Sequence, residues 1–209
     1  AGLSDVGKER KHNEDRYILL PEFGVFVVAD GMGGHQSGEV ASRMAASTVA
    51  GYFRSSKNGS VRDSLVSALS DANAKIFARA DDSRAHRGMG TTIVAAAYCP
   101  GDAMLYIAHA GDSRCYRVRD GRMEQLTRDH SLLQDALLER PDLTESDLAY
   151  LPRNVITRAL GIGPSVELDV RAEPVRAGDC FLLCSDGLHG LVTDEDIVKI
   201  VVNAPTLTE

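Results

Sequence analysis

Carboxylates that glycine-rich or polar turns hold, several at the ends of apolar runs, are the chemistry-bearing pattern of this chain. The clearest case is Gly24-Val25-Phe26-Val27-Val28-Ala29-Asp30-Gly31-Met32-Gly33-Gly34, where a β-branched run long enough for a buried strand delivers Asp30 into a turn suited to glycine. The layout returns around Gly111-Asp112-Ser113 and Cys184-Ser185-Asp186-Gly187, so Asp112 and Asp186 also belong at strand ends. Asp5 and Asp15 sit in short polar stretches near the N-terminus. Asp-Gly pairs also punctuate ordinary hairpins, and Asp120-Gly121 is read as one. Together the five aspartates point to a carboxylate cage for divalent metal. Hard oxygen ligands suit Mg²⁺ or Mn²⁺, whereas zinc sites favour His or Cys.

The elements that must position these groups follow from periodicity. Tyr17–Leu20 and Val25–Ala29 read as a hairpin turned by Pro21-Glu22-Phe23-Gly24. Val40, Ala41, Met44, Ala45, Thr48, Val49 and Tyr52 recur at helical spacing, as do Leu65, Leu69, Ala72, Ile76 and Ala80, with Ser60 as an N-cap. Strands at Thr91–Tyr98, Met104–Ala110, Cys115–Arg119 and Met123–Leu126 read as an antiparallel meander. From Arg128 to Leu160 the chain turns polar, with short helical pieces at Ser131–Leu138 and Thr144–Tyr150, and reads as a mobile flap. Strand character returns at Val166–Val170 and Cys180–Ser185, before a helix capped near Thr193 that runs through Val202. Grouped strands and grouped helices give an α+β sandwich.

With 209 residues, no linker and no internal repeat, the chain reads as a single domain, 1–209, with its flap at about 128–160. A net charge of −7 and the lack of a basic stripe exclude a nucleic-acid partner. No apolar run approaches the ~20 residues of a membrane span and no signal peptide is evident, which leads to the expectation of a cytoplasmic protein. Cys99, Cys115, Cys180 and Cys184 lack Cys-x-x-Cys spacing and are expected to be free, mostly buried thiols.

The motifs also resemble a known family. Ser4-Asp5-x-Gly7-x-x-Arg10, Asn13-Glu14-Asp15, Asp30-Gly-Met-Gly-Gly-His35, Gly88-Met-Gly-Thr-Thr92, Gly111-Asp-Ser-Arg114, Leu126-Thr-x-Asp129-His-Ser131 and Cys184-Ser-Asp-Gly187 are similar to those of the metal-dependent type-2C (PPM) Ser/Thr protein phosphatases, bacterial branch, in the same order. The resemblance implies two packed antiparallel sheets flanked by helices, an α-β-β-α sandwich, with two core Mn²⁺ or Mg²⁺ ions in a cleft at its end. By motif, Asp30 bridges both ions, the Gly31 carbonyl binds one, Asp186 binds the other, and Glu14 and Asp15 contact metal-held water. Arg10 is the phosphate-binding arginine, its planar fork suited to two phosphoryl oxygens. Asp112 helps hold a third ion, while Ser113 and Arg114 steady its turn.

The chain departs from the family pattern in places. Met32 stands where animal members carry a histidine as general acid, and His12 and His35 are the nearby candidates to protonate the leaving group. His109 is expected to be structural, and His130 to anchor the flap. Gly190 replaces an aspartate shared by the third-ion site, and the family's closing Asp-Asn turn, whose aspartate ligates a core ion, does not occur before Glu209. Either the sequence is part of a longer domain, or metal affinity is weakened.

The leading expectation is an enzyme that hydrolyses phosphoserine and phosphothreonine on proteins by a metal-activated bridging water, opposing a Ser/Thr kinase and working as a monomer. The alternative is a pseudophosphatase that binds phosphoproteins without turnover. A nucleotide loop fails on spacing, since no Gly-x-x-x-x-Gly-Lys-Ser/Thr occurs. Substrate contacts are expected from the flap, Arg128 to Asn154.

Overall fold

The computed structural model describes residues 1–33, 37–55, 59–82, 86–148, 150–152 and 154–204. Strands β1 (Asp15–Leu20) and β2 (Val25–Met32) form the expected hairpin, closed by a 3-10 turn at Pro21–Phe23, and their register sets Asp15 opposite Asp30. Helices α1 (Ser37–Ser55) and α2 (Val61–Asp82) follow, the second capped by Ser60 Oγ, which accepts from the Asp63 amide at 3.0 Å. Next come β3 (Gly90–Thr91), β4 (Ile93–Cys99), β5 (Met104–Ala110), β6 (Arg114–Arg119), β7 (Arg122–Gln125), α3 (Leu132–Glu139) and α4 (Glu145–Leu148). Strands β8 (Asp169–Pro174) and β9 (Cys180–Cys184) and helices α5 (Asp186–His189) and α6 (Asp194–Asn203) complete the order.

All strand pairings are antiparallel. The larger sheet runs β1-β2-β4-β5-β8 with β3 against β2, and the smaller runs β7-β6-β9. Side-chain alternation divides the larger sheet's two faces. Val25, Val27 and Ala29 of β2, Ile93, Ala95 and Ala97 of β4, and Ala108 and Ala110 of β5 pack with Ala41, Ala45, Val49 and Phe53 of α1 and Leu65, Leu69, Ala72 and Ile76 of α2. The alanines leave room for the helices to lie close, and each fully buried Leu, Ile or Val contributes about 1.5–3 kcal/mol. On the other face Val94, Ala96, Leu105 and Ile107 meet Cys115 and Leu126, joining the two sheets. Helix α6 lies against β6 and β7, so the layers are those of an α+β sandwich with helices on both sides. Asp30 and Met32, in step with Val28, face the inter-sheet side of β2, where Val28 joins the second core.

The stretch read as one meander is instead shared between the two sheets. After β5 the chain crosses at Gly111-Asp112-Ser113, and β6 pairs with β7 and β9. Gly111 takes φ 113°, and a Cβ there would lie 2.6 Å from Thr92 Cβ, so only glycine fits the crossing. The Asp120-Gly121 turn between β6 and β7 is as expected, with φ of 50° and 72°. Strand β8 begins at Asp169, three residues later than the apolar run suggests. Val166, Leu168 and Val170 pack against the helix-side core, while Arg171 and Glu173 join Arg117 of β6 and Glu124 of β7 in ion pairs that bridge the sheets.

Both ends of the 128–160 segment are built into the core rather than outside it. The His130 amide donates to the Gly111 carbonyl at 3.0 Å, and Leu160, fully buried, exchanges backbone hydrogen bonds with Thr91. Leu138 and Tyr150 between those ends are exposed. The cysteines are free, Cys115 and Cys184 buried and Cys99 and Cys180 half-buried. Among the described residues no helix is long and apolar enough to cross a membrane.

Candidate active site

Asp30 is fixed through its backbone. Its carbonyl accepts from the Thr92 amide and the Thr91 hydroxyl, each at 2.8 Å, and its amide donates to Thr92 Oγ1 at 3.1 Å. Thr92 Oγ1 in turn meets Ser113 Oγ at 2.7 Å, so the Asp30 strand and the Asp112 turn share one hydroxyl pair. Glu14 is held the same way, its carbonyl accepting from the Gly31 amide at 3.2 Å and from Ser42 Oγ at 2.5 Å. No side chain fits at position 31, because a Cβ would lie 2.1 Å from the Gly38 carbonyl oxygen. Asn13 Oδ1 accepts from the Asp15 amide at 2.9 Å, placing the start of β1.

These constraints gather carboxylates from both sheets. Asp30 faces Asp15 from β1 and Asp186 from the start of α5 closely enough for their charges to act on its carboxyl. Ser185, just before Asp186, donates its hydroxyl to Asp15 Oδ2 at 2.7 Å, linking the smaller sheet's β9 end to the larger sheet. Burial first, then the charges of Asp15 and Asp186, push the Asp30 carboxyl up to about 9. Asp112 is pushed up to about 6, again by burial first and then by Asp186. Among the described residues Glu14 Oε1 is buried with no hydrogen-bond partner, and its Oε2 lies 3.6 Å from the Arg10 guanidinium. A buried acceptor without a donor is costly, and converging carboxylates repel, so both features call for cations. Glu14, Asp15, Asp30, Asp112, Asp186 and the Gly31 carbonyl are all oxygen donors, a set that fits Mg²⁺ or Mn²⁺.

Arg10 is largely exposed and reaches the cluster's edge through Glu14. Arg114 forms a forked pair with Asp129, at 2.9 Å and 2.7 Å, and with Ser113 steadies the Asp112 turn. Asp5 caps a local turn, accepting from the Gly7 amide at 2.7 Å. His12 is exposed, and His35 lies outside the described residues. A Cβ at Gly190 would meet the Asp186 carbonyl oxygen at 2.7 Å, so a side chain there would require the end of the short helix α5 to shift.

The comparisons with known proteins bear on this arrangement. A family model described as Protein phosphatase 2C matches residues 8–204. This chain belongs to the protein phosphatase 2C family. The serine/threonine phosphatase stp of Listeria innocua is 35% identical over 99% of this chain and 84% of its own length. PstP of Mycobacterium tuberculosis is 36% identical over 95% of this chain and 38% of its own length. The crystal structure of the PstP catalytic domain in complex with two manganese ions superposes with a TM-score of 0.84 at 34% identity, covering 97% of this chain and 83% of that one. As a protein phosphatase 2C domain, the chain is a Mn²⁺- or Mg²⁺-dependent serine/threonine phosphatase acting on phosphoproteins.

One polar group beside this phosphatase centre goes beyond the sequence reading. His109, His130 and Asp169 bring potential ligand atoms within 4.8 Å of one another. Several of these atoms already have hydrogen-bond partners. The Gly111 amide donates to His130 Nδ1 at 3.1 Å, and His130 Nε2 lies 3.1 Å from the Arg158 guanidinium and 3.4 Å from Asp169 Oδ2. His109 Nε2 donates to the Arg128 carbonyl at 2.9 Å, and the two rings stack at 4.7 Å. Burial lowers the pKa of both rings, and for His130 the neighbouring His109 and Arg158 lower it further. Arg158 donates to Asp169 Oδ1 at 2.7 Å. The trio is a clasp between the flap's ends, β8 and the Gly111-Asp112 crossing. Its members lie far apart in sequence, and only the β5–β8 register, which pairs His109 with Asp169, brings them together.

Proposed function

We propose that this cleft hydrolyses phosphoserine and phosphothreonine esters through the carboxylates that Asp30 gathers. Asp30 would lie between two core ions, with the Gly31 carbonyl on one and Asp186 on the other. Glu14 and Asp15 would orient water beside them, and Asp112 would serve a weaker third position. Two Mn²⁺ or Mg²⁺ ions bound there supply activation of water for attack on phosphorus and neutralisation of phosphoryl charge. Arg10, at the mouth of the cleft, offers its forked guanidinium to the phosphoryl oxygens that point outward. Met32 carries no proton, so the leaving alkoxide takes one from water or from His12 or His35. A positioned acid accounts for about 10²–10⁴ of rate, a small part of what phosphate monoester hydrolysis demands, so the reaction does not depend on it.

The observation that carries this reading is a buried Glu14 Oε1 without a partner among the described residues, together with an Asp30 flanked by Asp15 and Asp186. Residues 1–209 act as one catalytic domain, with 128–160 as its flap. The substrates are proteins phosphorylated by a Ser/Thr kinase. The four free thiols accord with a reducing compartment, the cytoplasm, and a cleft built within one chain accords with a monomer. The test is Mn²⁺-supported release of inorganic phosphate from phosphoserine and phosphothreonine peptides. Release from both is expected, and binding without release would leave only the phosphoprotein-binding alternative.

A further inference from the structure

A groove adjoins the Asp30 turn on the side of the flap's exit, with a cavity of about 230 Å³. Its apolar lining is Met32, Ile156, Ile162 and Val166. Met32 lies two residues beyond Asp30 on the same strand, so the two side chains leave the same face of β2 about 7 Å apart. A Cβ built on Gly90 would lie 2.8 Å from Ile162 Cδ1 and 3.0 Å from Met32 Cε, so both side chains converge over that glycine. Ile162 nevertheless remains 54% exposed, an unusual place for an isoleucine unless something apolar covers it. At the rim Arg158 and Glu167 pair at 3.4 Å, so the charges that line the groove among the described residues are matched.

We propose that this groove receives an apolar side chain of the substrate protein, one or two residues from the phosphoserine or phosphothreonine. The proposal rests on the phosphatase reading above. An extended peptide advances about 3.3–3.6 Å per residue, so a phosphoryl group at Asp30 places a side chain two residues away at the distance of Met32. The cavity is smaller than the ~300–1,000 Å³ of small-molecule pockets, and it is the size for a single side chain. Specificity then comes in part from residues 156–167, outside the Arg128–Asn154 stretch from which it was expected.

The experiment compares phosphothreonine peptides that differ only in carrying Leu, Ala or Asp at the flanking positions. Each is assayed with the full-length protein and with Ile162→Asp, and rates are referred to the same enzyme's hydrolysis of phenyl phosphate. The expected result is a kcat/KM about tenfold higher for Leu than for Ala, lower still for Asp, and a collapse of the Leu preference in Ile162→Asp. Equal rates for the three peptides, or a Leu preference that survives the substitution, would overturn the groove. Failure to hydrolyse phenyl phosphate with Mn²⁺ would instead count against the phosphatase reading itself.

Discussion

Glu14 and Asp30 pose an electrostatic problem that the described groups around them do not solve. One Glu14 oxygen is buried without a donor among the described residues, and burial beside Asp15 and Asp186 pushes the Asp30 carboxyl far up towards its protonated form unless cations enter. The replacement Asp30→Asn removes the central ligand while keeping the shape. Turnover should drop by at least about a hundredfold, since even groups that only orient metal ligands are worth 10–100-fold. Far-UV circular dichroism should stay unchanged, because the Asp30 backbone is held by Thr91 and Thr92. At this scale the sequence was informative where a carboxylate ends an apolar run, as at Asp30, Asp112 and Asp186. Arg10 and Glu14 were legible only through the family motif, because an exposed arginine four residues before a glutamate has no pattern of its own. The clasp of His109, His130 and Asp169 could not be read, since register and not spacing creates it.

Among the elements, the joints between the sheets govern the site. His130 caps both backbone atoms of Gly111, one residue before Asp112. In His130→Ala the Gly111 amide and Asp169 lose a buried partner, at a cost of about 1–3 kcal/mol in denaturant unfolding. A turnover loss of about 10–100-fold should accompany it as the Asp112 turn loosens. A variant with the stability loss but full turnover would show the clasp to be structural alone. At the opposite joint Arg119 and Asp179 form a forked pair at 2.6 Å, and the arginine holds the Asp179 carboxyl down to about 2. In the unfolded chain that group titrates near ~3.9. The pair's contribution is therefore complete above that pH and disappears as pH falls through 2. Asp179→Asn should cost about 1–2 kcal/mol at pH 7 after allowance for solvent screening, and the gap from wild type should narrow between pH 4 and pH 2. A gap independent of pH would contradict the pairing. The long helices and the first hairpin were legible because their periods are sustained. The sheet crossing was not, because a short Gly-Asp-Ser link resembles a hairpin turn, and four-residue α5 is too brief to show a period.

Taken whole, the molecule is two sheets whose shared core lies behind the site and whose carboxylates meet in front of it. Asp15 and Asp30 come from the larger sheet, whereas Asp186 lies two residues beyond β9 of the smaller one. Ions held among them would tie the sheets together and favour the folded state. At a hundred times its dissociation constant, Mn²⁺ should stabilise by about 2.7 kcal/mol. For a domain of this size that raises Tm by about 5–10 °C, and EDTA should reverse it. Asp186→Asn, which removes the only core ligand assigned to the smaller sheet among the described residues, should show a smaller rise. An equal rise in both proteins would place the ions elsewhere.

The most direct measurement is the rate of phosphate release from a phosphothreonine peptide by wild type and Asp30→Asn, as Mn²⁺ is removed with EDTA and then restored. The carboxylate account predicts turnover that vanishes and returns with the metal in wild type and stays at least a hundredfold lower in the variant. Turnover that persists in EDTA, or an Asp30→Asn protein that works as well as wild type, would contradict it.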